Sequence, residues 1–296
     1  MPLQFSADVQ ARIDQLWIYP VKSCAGIAQA QAELTSTGLR WDRQWMVVDS
    51  AGEFVTQREL PRMALIRPEL TPSVCVLSAP GMTPLALPLA AAGEPVAVRV
   101  WDDAISALDV GLEAAQWISA FLGPDAPADL QRLRLVRFDP GVRRPSSPKW
   151  TGGREAQTAF ADGFGMLVAS TASLQELNGR LAQAGHGPVT MNRFRPNVVL
   201  SGVEPHDEDR LGRWRIATEG GEAMLDNVKP CARCPIPNID PDTAVPSPSV
   251  GDVLQTYRQD RRLGGAVTFG MNAIPLSGVG QVLTVGQAVA AEWRFD

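Results

Sequence analysis

Short runs of alternating polar and apolar residues, separated by turn-forming residues, dominate the pattern along this chain. Residues 28–34 alternate strictly, which places three alanines and Leu34 on one face of a predicted strand. Similar runs predict strands at residues 13–19, 43–49, 96–101, 133–138, 197–201, 267–271 and 282–285. A turn at residues 49–52, in which Gly52 can adopt a positive φ, predicts a hairpin. The chain is therefore expected to be rich in strands.

Two segments have helical spacing instead. Apolar residues at residues 111–122 recur every three or four positions, which predicts an amphipathic helix. A second helix is predicted to begin near Ser170 or Thr171 and to end at Gly185. Its N-cap is expected to be either Thr171 or Ser173, since Ser173 begins a capping box.

Composition favours many short elements over long helices. The 296 residues include 26 glycines and 24 prolines, scattered along the chain, and both residue types interrupt regular structure. We therefore predict a mainly β protein with a few helices, of the α+β class. At about 150 residues per domain the length allows two domains, and residues 139–153, rich in Pro, Ser and Arg, form a candidate boundary.

Charge and hydropathy exclude two classes of partner. The chain has 27 basic and 32 acidic residues, a formal net charge of −5, and it lacks the basic stripe that nucleic-acid binding requires. Residues 1–14 lack the apolar stretch of a signal peptide, and the weakly polar residues 85–92 are too few to span a bilayer. We expect a cytoplasmic protein that binds neither nucleic acid nor membrane.

The close pair Cys231 and Cys234 stands out because the chain has only four cysteines and two histidines. A structural zinc site would need further soft ligands, and a thioredoxin-type dithiol would need a helix that the following prolines disfavour. Two small apolar residues in a proline-rich loop are a third interpretation. Arg233 favours thiolate over thiol at Cys234, which also allows a metal ligand or a nucleophile there.

Several basic residues stand where they could hold a small anion. Arg193 and Arg195 alternate just before a predicted strand, and a guanidinium group binds oxyanions through paired hydrogen bonds. Lys22 and Ser23 lie in a turn after another predicted strand, and Arg43 begins the next. For each cluster taken alone, a solvated strand end is the favoured interpretation.

Taken together, these segments resemble the MOSC proteins, named after the C-terminal domain of molybdenum-cofactor sulfurase, and more narrowly the YcbX-like proteins and mitochondrial amidoxime-reducing components. The resemblance covers nearly the whole chain. It implies a MOSC N-terminal β-barrel domain at residues 1–130 and a MOSC-type β-barrel at residues 131–296. Five ordered motifs carry it: Tyr19-Pro-Val-Lys-Ser-Cys24, Gly38-Leu-Arg-Trp-Asp-Arg43, Phe194-Arg-Pro-Asn197, Cys231-Ala-Arg-Cys234 and Asp240-Pro-Asp-Thr243.

The resemblance also implies an activity and a set of site residues. Cys234 matches the thiolate that ligates molybdenum. The positions that match or neighbour contacts to the pterin and its phosphate are Lys22, Ser23, Arg43, Ser173, Arg195, Asn197, Ala232 and Arg233. The implied function is a molybdenum-cofactor (molybdopterin) oxidoreductase that reduces small N-hydroxylated compounds. The alternative is a non-catalytic cofactor or sulfur carrier, with a persulfide on Cys234.

Two features of the sequence depart from the family pattern. Pro235-Ile236-Pro237 replaces the usual Ile/Val-Thr-Thr run after the ligand, and Ala244 stands where the family often has glycine.

YcbX-like proteins commonly carry a C-terminal iron–sulfur domain, whereas no cysteine follows Cys234 in this sequence. The expectation is therefore an external electron donor, either a ferredoxin-type protein or a flavin reductase.

Overall fold

The computed structural model describes residues 7–90 and 92–295. Residues 1–6, part of the N-terminal segment in which no signal peptide is predicted, lie outside the described residues, as do residues 91 and 296. Within the described ranges, no helix has both the length and the apolar character needed to cross a membrane.

Strands predominate over helices, which confirms the predicted mainly β class. The strands are β1 Val9–Ile18, β2 Ile27–Gln29, β3 Gln31–Thr35, β4 Gly38–Leu39, β5 Trp45–Val48, β6 Arg67–Leu70, β7 Val74–Ser78, β8 Leu85–Pro88, β9 Pro95–Val100, β10 Asp103–Asp109, β11 Arg134–Phe138, β12 Met166–Ser170, β13 Val198–Ser201, β14 Leu211–Thr218, β15 Gly221–Ala232, β16 Gln259–Asp260, β17 Ala266–Ser277, β18 Val282–Thr284 and β19 Ala288–Trp293. The α-helices are α1 Leu112–Leu122, α2 Pro148–Thr151, α3 Thr171–Gln183 and α4 Ser249–Gln255.

Seven strands close into a barrel. Their order is β12-β13-β1-β19-β14-β15-β17, and β17 pairs back to β12 to complete the circuit. The pair β12–β13 is parallel and the other six pairs are antiparallel. Buried apolar side chains fill the interior, among them Trp214, Ile13 and Leu225. Closure leaves these strands with no free edge.

The barrel takes one strand from the first part of the chain. β1 lies between β13 and β19, so residues from the predicted N-terminal domain complete the barrel of the second domain. β11 pairs with β5 and β10 in a four-stranded sheet of the N-terminal part, although it follows the predicted boundary at residue 130. That sheet, the sheet β6-β7-β8 and helix α1 share one apolar core.

The predicted helices are present, but the predicted N-cap of the second helix is wrong. α1 and α3 occupy the two segments with helical periodicity. The N-cap of α3 is Ser170, whose hydroxyl accepts a hydrogen bond from the backbone N–H of Ser173, so neither Thr171 nor Ser173 is the cap. Ser170 ends the buried strand β12 in extended conformation, which presents its hydroxyl to the first turn.

The clearest predicted strand is also partly wrong. Residues 28–34 form two short strands, β2 and β3, separated at Ala30. β2 pairs with β1, whereas β3 pairs with β4 and β18. The four residues predicted to share one face differ in exposure, since Ala32 and Leu34 are buried whereas Ala28 and Ala30 are exposed. The alternation continues across Ala30, although the chain changes its pairing strand there. That pairing depends on distant strands and not on the local sequence pattern.

Candidate functional site

A cavity of about 430 Å³ lies at one end of the barrel, where it meets the N-terminal part of the chain. Antiparallel pairing of Leu16 with Val198 places the end of β1 beside the start of β13. Parallel pairing of Val168 with Val198 places the start of β12 at the same end. The loops attached to these strand ends therefore converge, and residues distant in sequence share one cavity.

Most of the predicted site residues meet there. Eight of the nine predicted positions line this cavity: Lys22, Ser23, Arg43, Arg195, Asn197, Ala232, Arg233 and Cys234. They come from four separate segments of the chain.

Ser173 is the predicted site residue that the structure does not bring to the cavity lining. It is fully buried in the first turn of α3. Its hydroxyl donates to Oε2 of Glu208 at 2.8 Å and accepts the backbone N–H of His206 at 2.8 Å. The Oγ atoms of Ser173 and Ser170 also lie 2.8 Å apart. These internal bonds occupy the hydroxyl that would otherwise contact a ligand.

Lys22 is a buried cation at the cavity wall. Its Nζ donates to the carbonyl oxygen of Phe160 at 2.8 Å and forms an ion pair with Asp162. Burial lowers the pKa of the Lys22 amine, and the Asp162 carboxylate counteracts that effect. The adjacent carbonyl of Ser23 accepts a hydrogen bond from Gln57 Nε2 at 2.6 Å, which fixes the turn.

Arg43 is held by a buried carboxylate and a buried amide. Its Nη1 donates to Oδ1 of Asp42 at 2.6 Å and to Oδ1 of Asn197 at 3.2 Å. The Asn197 amide also accepts the backbone N–H of Leu167 at 3.0 Å and donates to the carbonyl of Trp17 at 3.1 Å. Asn197 therefore braces three segments of the cavity wall, and its carbonyl oxygen is already used within the protein.

Arg195 retains unused hydrogen-bonding capacity. Its Nη1 donates to the carbonyl oxygen of Cys24 at 2.6 Å, while Nη2 is buried with no partner among the described residues. Burial, reinforced by the positive charge of Arg43, lowers the pKa of Arg195 to about 10. A buried N–H group without a partner is costly, so this atom is a candidate ligand contact.

Backbone strain is concentrated around the cavity. Among the described residues, seven non-glycine residues have positive φ, and four of them line the cavity: Ser23 at 65°, Trp101 at 57°, Arg43 at 47° and Arg195 at 59°. Left-handed backbone costs a residue with a Cβ about 1–2 kcal/mol. Such strain persists where the surrounding structure enforces it and is typical of functional sites.

The cysteine pair lies at the end of β15. Arg233 follows that strand, and its backbone N–H donates to the carbonyl of Val267 at 2.8 Å. Its guanidinium is directed at Cys231, since Nη1 lies 3.0 Å from Sγ. The sequence suggested that Arg233 acts on the sulfur of Cys234, whereas the hydrogen bond found is to Cys231. Cys231 and Cys234 are both half-buried and unbridged.

Two of the alternatives for this pair receive no support from the structure. The described residues hold no group of three or more His, Cys, Asp or Glu side chains that could bind a metal, whereas a structural zinc site needs four ligands. Residues Ile236–Asn238 form a single 3-10 turn, so no α-helix begins at the pair as in a thioredoxin-type site.

The charge of the lining suits an anion. Among the described residues, six cationic side chains and one carboxylate, that of Asp162, line the cavity. Besides Nη2 of Arg195, Nε of Arg233 is buried and finds no hydrogen-bond partner in the described part of the chain. The cations are Lys22, Arg43, Arg58, Arg195, Lys229 and Arg233.

Sequence reasoning missed part of this lining. Arg58 and Trp101 lie in segments without any recognised motif, and they reach the cavity together, with the Arg58 guanidinium carbon 4.7 Å from the centre of the Trp101 ring. A signal existed for two other lining residues: Asp162 lies in Ala161-Asp162-Gly163, which also matches the MOSC pattern, and Lys229 lies two residues before Cys231. The indole N–H of Trp101 donates to Asp162 Oδ1 at 3.1 Å, which links the two groups.

Family models match both parts of the chain. Residues 10–125 match the MOSC N-terminal beta barrel domain, and residues 155–290 match the MOSC domain. Mitochondrial amidoxime-reducing component 1 of Mus musculus is 36% identical over 83% of this chain and 71% of its own length. The Homo sapiens protein of the same name is 36% identical over 86% and 75%. Component 2 of Bos taurus is 34% identical over 79% and 68%.

Proposed function

Because the chain belongs to the MOSC family, in the group that includes the mitochondrial amidoxime-reducing components, we propose that it is a molybdenum-cofactor oxidoreductase that reduces N-hydroxylated compounds. The observation that carries the proposal is the convergence of Cys234, Arg195 and Arg43 on one cation-rich cavity. Fold alone would not support an activity, since one fold serves many functions.

The residues present fit the cofactor. Cys234 offers a half-buried thiol, the kind of soft donor that molybdenum accepts. The surplus of cations in the lining matches an anionic ligand such as the molybdopterin phosphate. The unpartnered N–H groups of Arg195 and Arg233 are donors to which that ligand would bind.

The protein would supply orientation and electrostatics. When bound, the cofactor provides a metal that removes oxygen from an N-hydroxyl group, so that two electrons and two protons convert N–OH into N–H and water. Cys234 would hold the metal, and Arg43 and Arg195 would hold the anionic part. Phe164 and Ile236 also line the cavity, and their apolar side chains would help to exclude water from it.

The electrons would come from an external donor, a ferredoxin-type protein or a flavin reductase. An iron–sulfur cluster generally needs several cysteine thiolates. Of the four cysteines in this sequence, Cys24 and Cys75 are buried as separate thiols, and the remaining two lie at the cavity. We further propose a cytoplasmic location, which is consistent with four unbridged cysteines.

The experiment compares protein expressed in hosts able and unable to make molybdopterin. Molybdenum is measured by mass spectrometry, and reduction of an aromatic amidoxime is measured with a reduced viologen dye. Protein from the competent host is expected to carry about one molybdenum per chain and to form the amidine. Cys234→Ser is expected to abolish turnover, whereas the matched variant Cys231→Ser is expected to retain it.

The same samples test the sulfur-carrier alternative. Protein from the competent host that carries no molybdenum and reduces no amidoxime would refute the oxidoreductase proposal. A persulfide on Cys234, detected by alkylation and mass spectrometry in such protein, would support the carrier instead.

A further inference from the structure

The ring of Tyr19 lies against both central arginines of the cavity. The guanidinium carbon of Arg195 is 4.2 Å from the ring centre, and that of Arg43 is 4.4 Å from it. Tyr19 is fully buried, at the end of β1. Both distances are well within the range in which a cation is attracted to an aromatic ring.

Two partly buried cations against one ring need a compensating partner. Asp42 binds Arg43, and the carbonyl of Cys24 binds Arg195, but no carboxylate contacts both guanidinium groups among the described residues. The negative face of an aromatic ring attracts cations without neutralising them. Such a ring can therefore hold the two arginines together while leaving their charge available to a ligand.

We infer that Tyr19 is a positioning residue, whose ring holds the guanidinium groups of Arg43 and Arg195 side by side so that together they bind an oxyanion. The inference rests on the proposed function, in which that oxyanion is the phosphate of the cofactor. Tyr19 does not itself line the cavity, so it acts through the two arginines.

The ring, and not the hydroxyl group, carries this role. The Tyr19 hydroxyl is buried without a hydrogen-bond partner among the described residues. The backbone N–H of Tyr19 donates to Asp42 Oδ1 at 2.8 Å, a bond that any side chain at this position retains. Phenylalanine should therefore replace tyrosine, whereas leucine should not.

The test uses apoprotein from a host that cannot make molybdopterin, with inorganic phosphate as the probe. Phosphate affinity is measured by calorimetry at low ionic strength for wild type, Tyr19→Phe and Tyr19→Leu. The matched control is Phe121→Leu, which removes another buried ring that contacts an arginine, Arg62 at 4.6 Å, on helix α1 away from the cavity.

Tyr19→Leu is expected to weaken phosphate binding about tenfold or more, because two ring–cation contacts are lost. Tyr19→Phe is expected to bind within about twofold of wild type, since it retains the quadrupole of the ring. Phe121→Leu is expected to lose comparable stability to urea and to bind phosphate normally. A general loss of stability would not produce this pattern.

Gly26→Ala provides a second route if Tyr19→Leu does not fold. A Cβ at Gly26 would lie 2.4 Å from Cε1 of Tyr19, so the ring must move, although Gly26 is not part of the cavity lining. Folded Gly26→Ala is expected to bind phosphate more weakly than wild type.

Unchanged phosphate affinity in Tyr19→Leu, or in folded Gly26→Ala, would overturn the inference. So would equal losses of affinity in Tyr19→Phe and Tyr19→Leu, a loss in Phe121→Leu equal to that in Tyr19→Leu, or wild-type apoprotein that binds no phosphate. Failure of the proposed function is distinguishable, because it appears as absent molybdenum and absent amidoxime reduction in protein from the competent host. Phosphate binding by the apoprotein does not depend on either.

Discussion

Glu208 is a buried carboxyl group whose protonation should make the stability of the protein depend on pH. It is 0% exposed. Its Oε2 accepts the hydrogen bond from Ser173, while Oε1 is buried without a partner among the described residues. Burial, reinforced by the nearby charge of Asp209, raises the pKa of Glu208 from its ordinary 4.5 to about 7.

The size of the effect on stability follows from the difference between the ordinary pKa of 4.5 and the folded-state pKa of about 7. One pKa unit corresponds to about 1.4 kcal/mol, so ionised Glu208 should cost the folded state about 3 kcal/mol relative to its protonated form. Because the folded-state pKa is raised, its contribution to stability is fully present below pH 4.5 and is lost as the pH rises through 7. Glu208→Gln resembles the protonated group and should escape this loss.

The contribution of His206 to stability depends on pH in the opposite direction, over an overlapping pH range. Burial and the charge of Arg258 lower its pKa from 6.5 to about 4. The associated stability is present above pH 6.5 and is lost as the pH falls through 4. The contribution of His206 cancels when the free energies of unfolding of wild type and Glu208→Gln are subtracted at the same pH, since both proteins contain His206.

The assay is urea unfolding of wild type and Glu208→Gln at pH 5 and pH 8. Glu208→Gln should be more stable than wild type by about 1 kcal/mol at pH 5, which lies just above the unfolded-state pKa, and by about 3 kcal/mol at pH 8. Glu94→Gln, at an exposed position, should show no such change. A difference between wild type and Glu208→Gln that is constant from pH 5 to pH 8 would refute the reasoning.

Three further predictions concern backbone strain and thiol reactivity. Gly38→Ala should lower the free energy of unfolding by about 2–4 kcal/mol in urea, because φ is +115° and the new Cβ would lie 2.2 Å from a backbone carbonyl oxygen. Gly81→Ala, with φ of +75° and open space around it, should cost about 1 kcal/mol, and equal losses would contradict the steric argument. Cys24 and Cys75 are buried, which raises each thiol pKa to about 12, so native apoprotein should react with two equivalents of a disulfide reagent and urea-unfolded protein with four. Ala244→Gly should raise the unfolding midpoint by relieving a φ of 60°, worth about 0.5–1 kcal/mol, and a lower midpoint would count against strain at that position.

Local pattern predicted the elements well wherever neighbours in sequence decide the structure. The periodicity of α1 and α3 and the alternation of β1 and β9 needed no distant partner to be recognised. The segment 28–34 was misjudged because its alternation continues across a change of pairing partner.

Motif order predicted which loops meet at one cavity, since eight of the nine positions taken from the sequence line it. At Ala244, where the family often has glycine, φ is 60°, which is a backbone conformation that favours glycine. Ser173 could not be judged in the same way, since its hydroxyl bonds depend on Glu208, 35 residues away. Trp101 directly follows strand β9 and Arg58 lies in a turn after β5, and no single-sequence pattern specifies that these two segments meet at the cavity.

The position of β1 between β13 and β19 constrains the order in which the chain can fold during synthesis. The first described strand of the barrel can find both of its barrel partners only after residue 293 has been made, whereas the two N-terminal sheets and α1 are complete by residue 138. Among the described strands, β1 has only β2 to pair with until β13 is made, and its β19 edge stays open until residue 293. Barrel closure is therefore a late step of high contact order, and an exposed β1 edge is the point at which a stalled chain would be expected to aggregate.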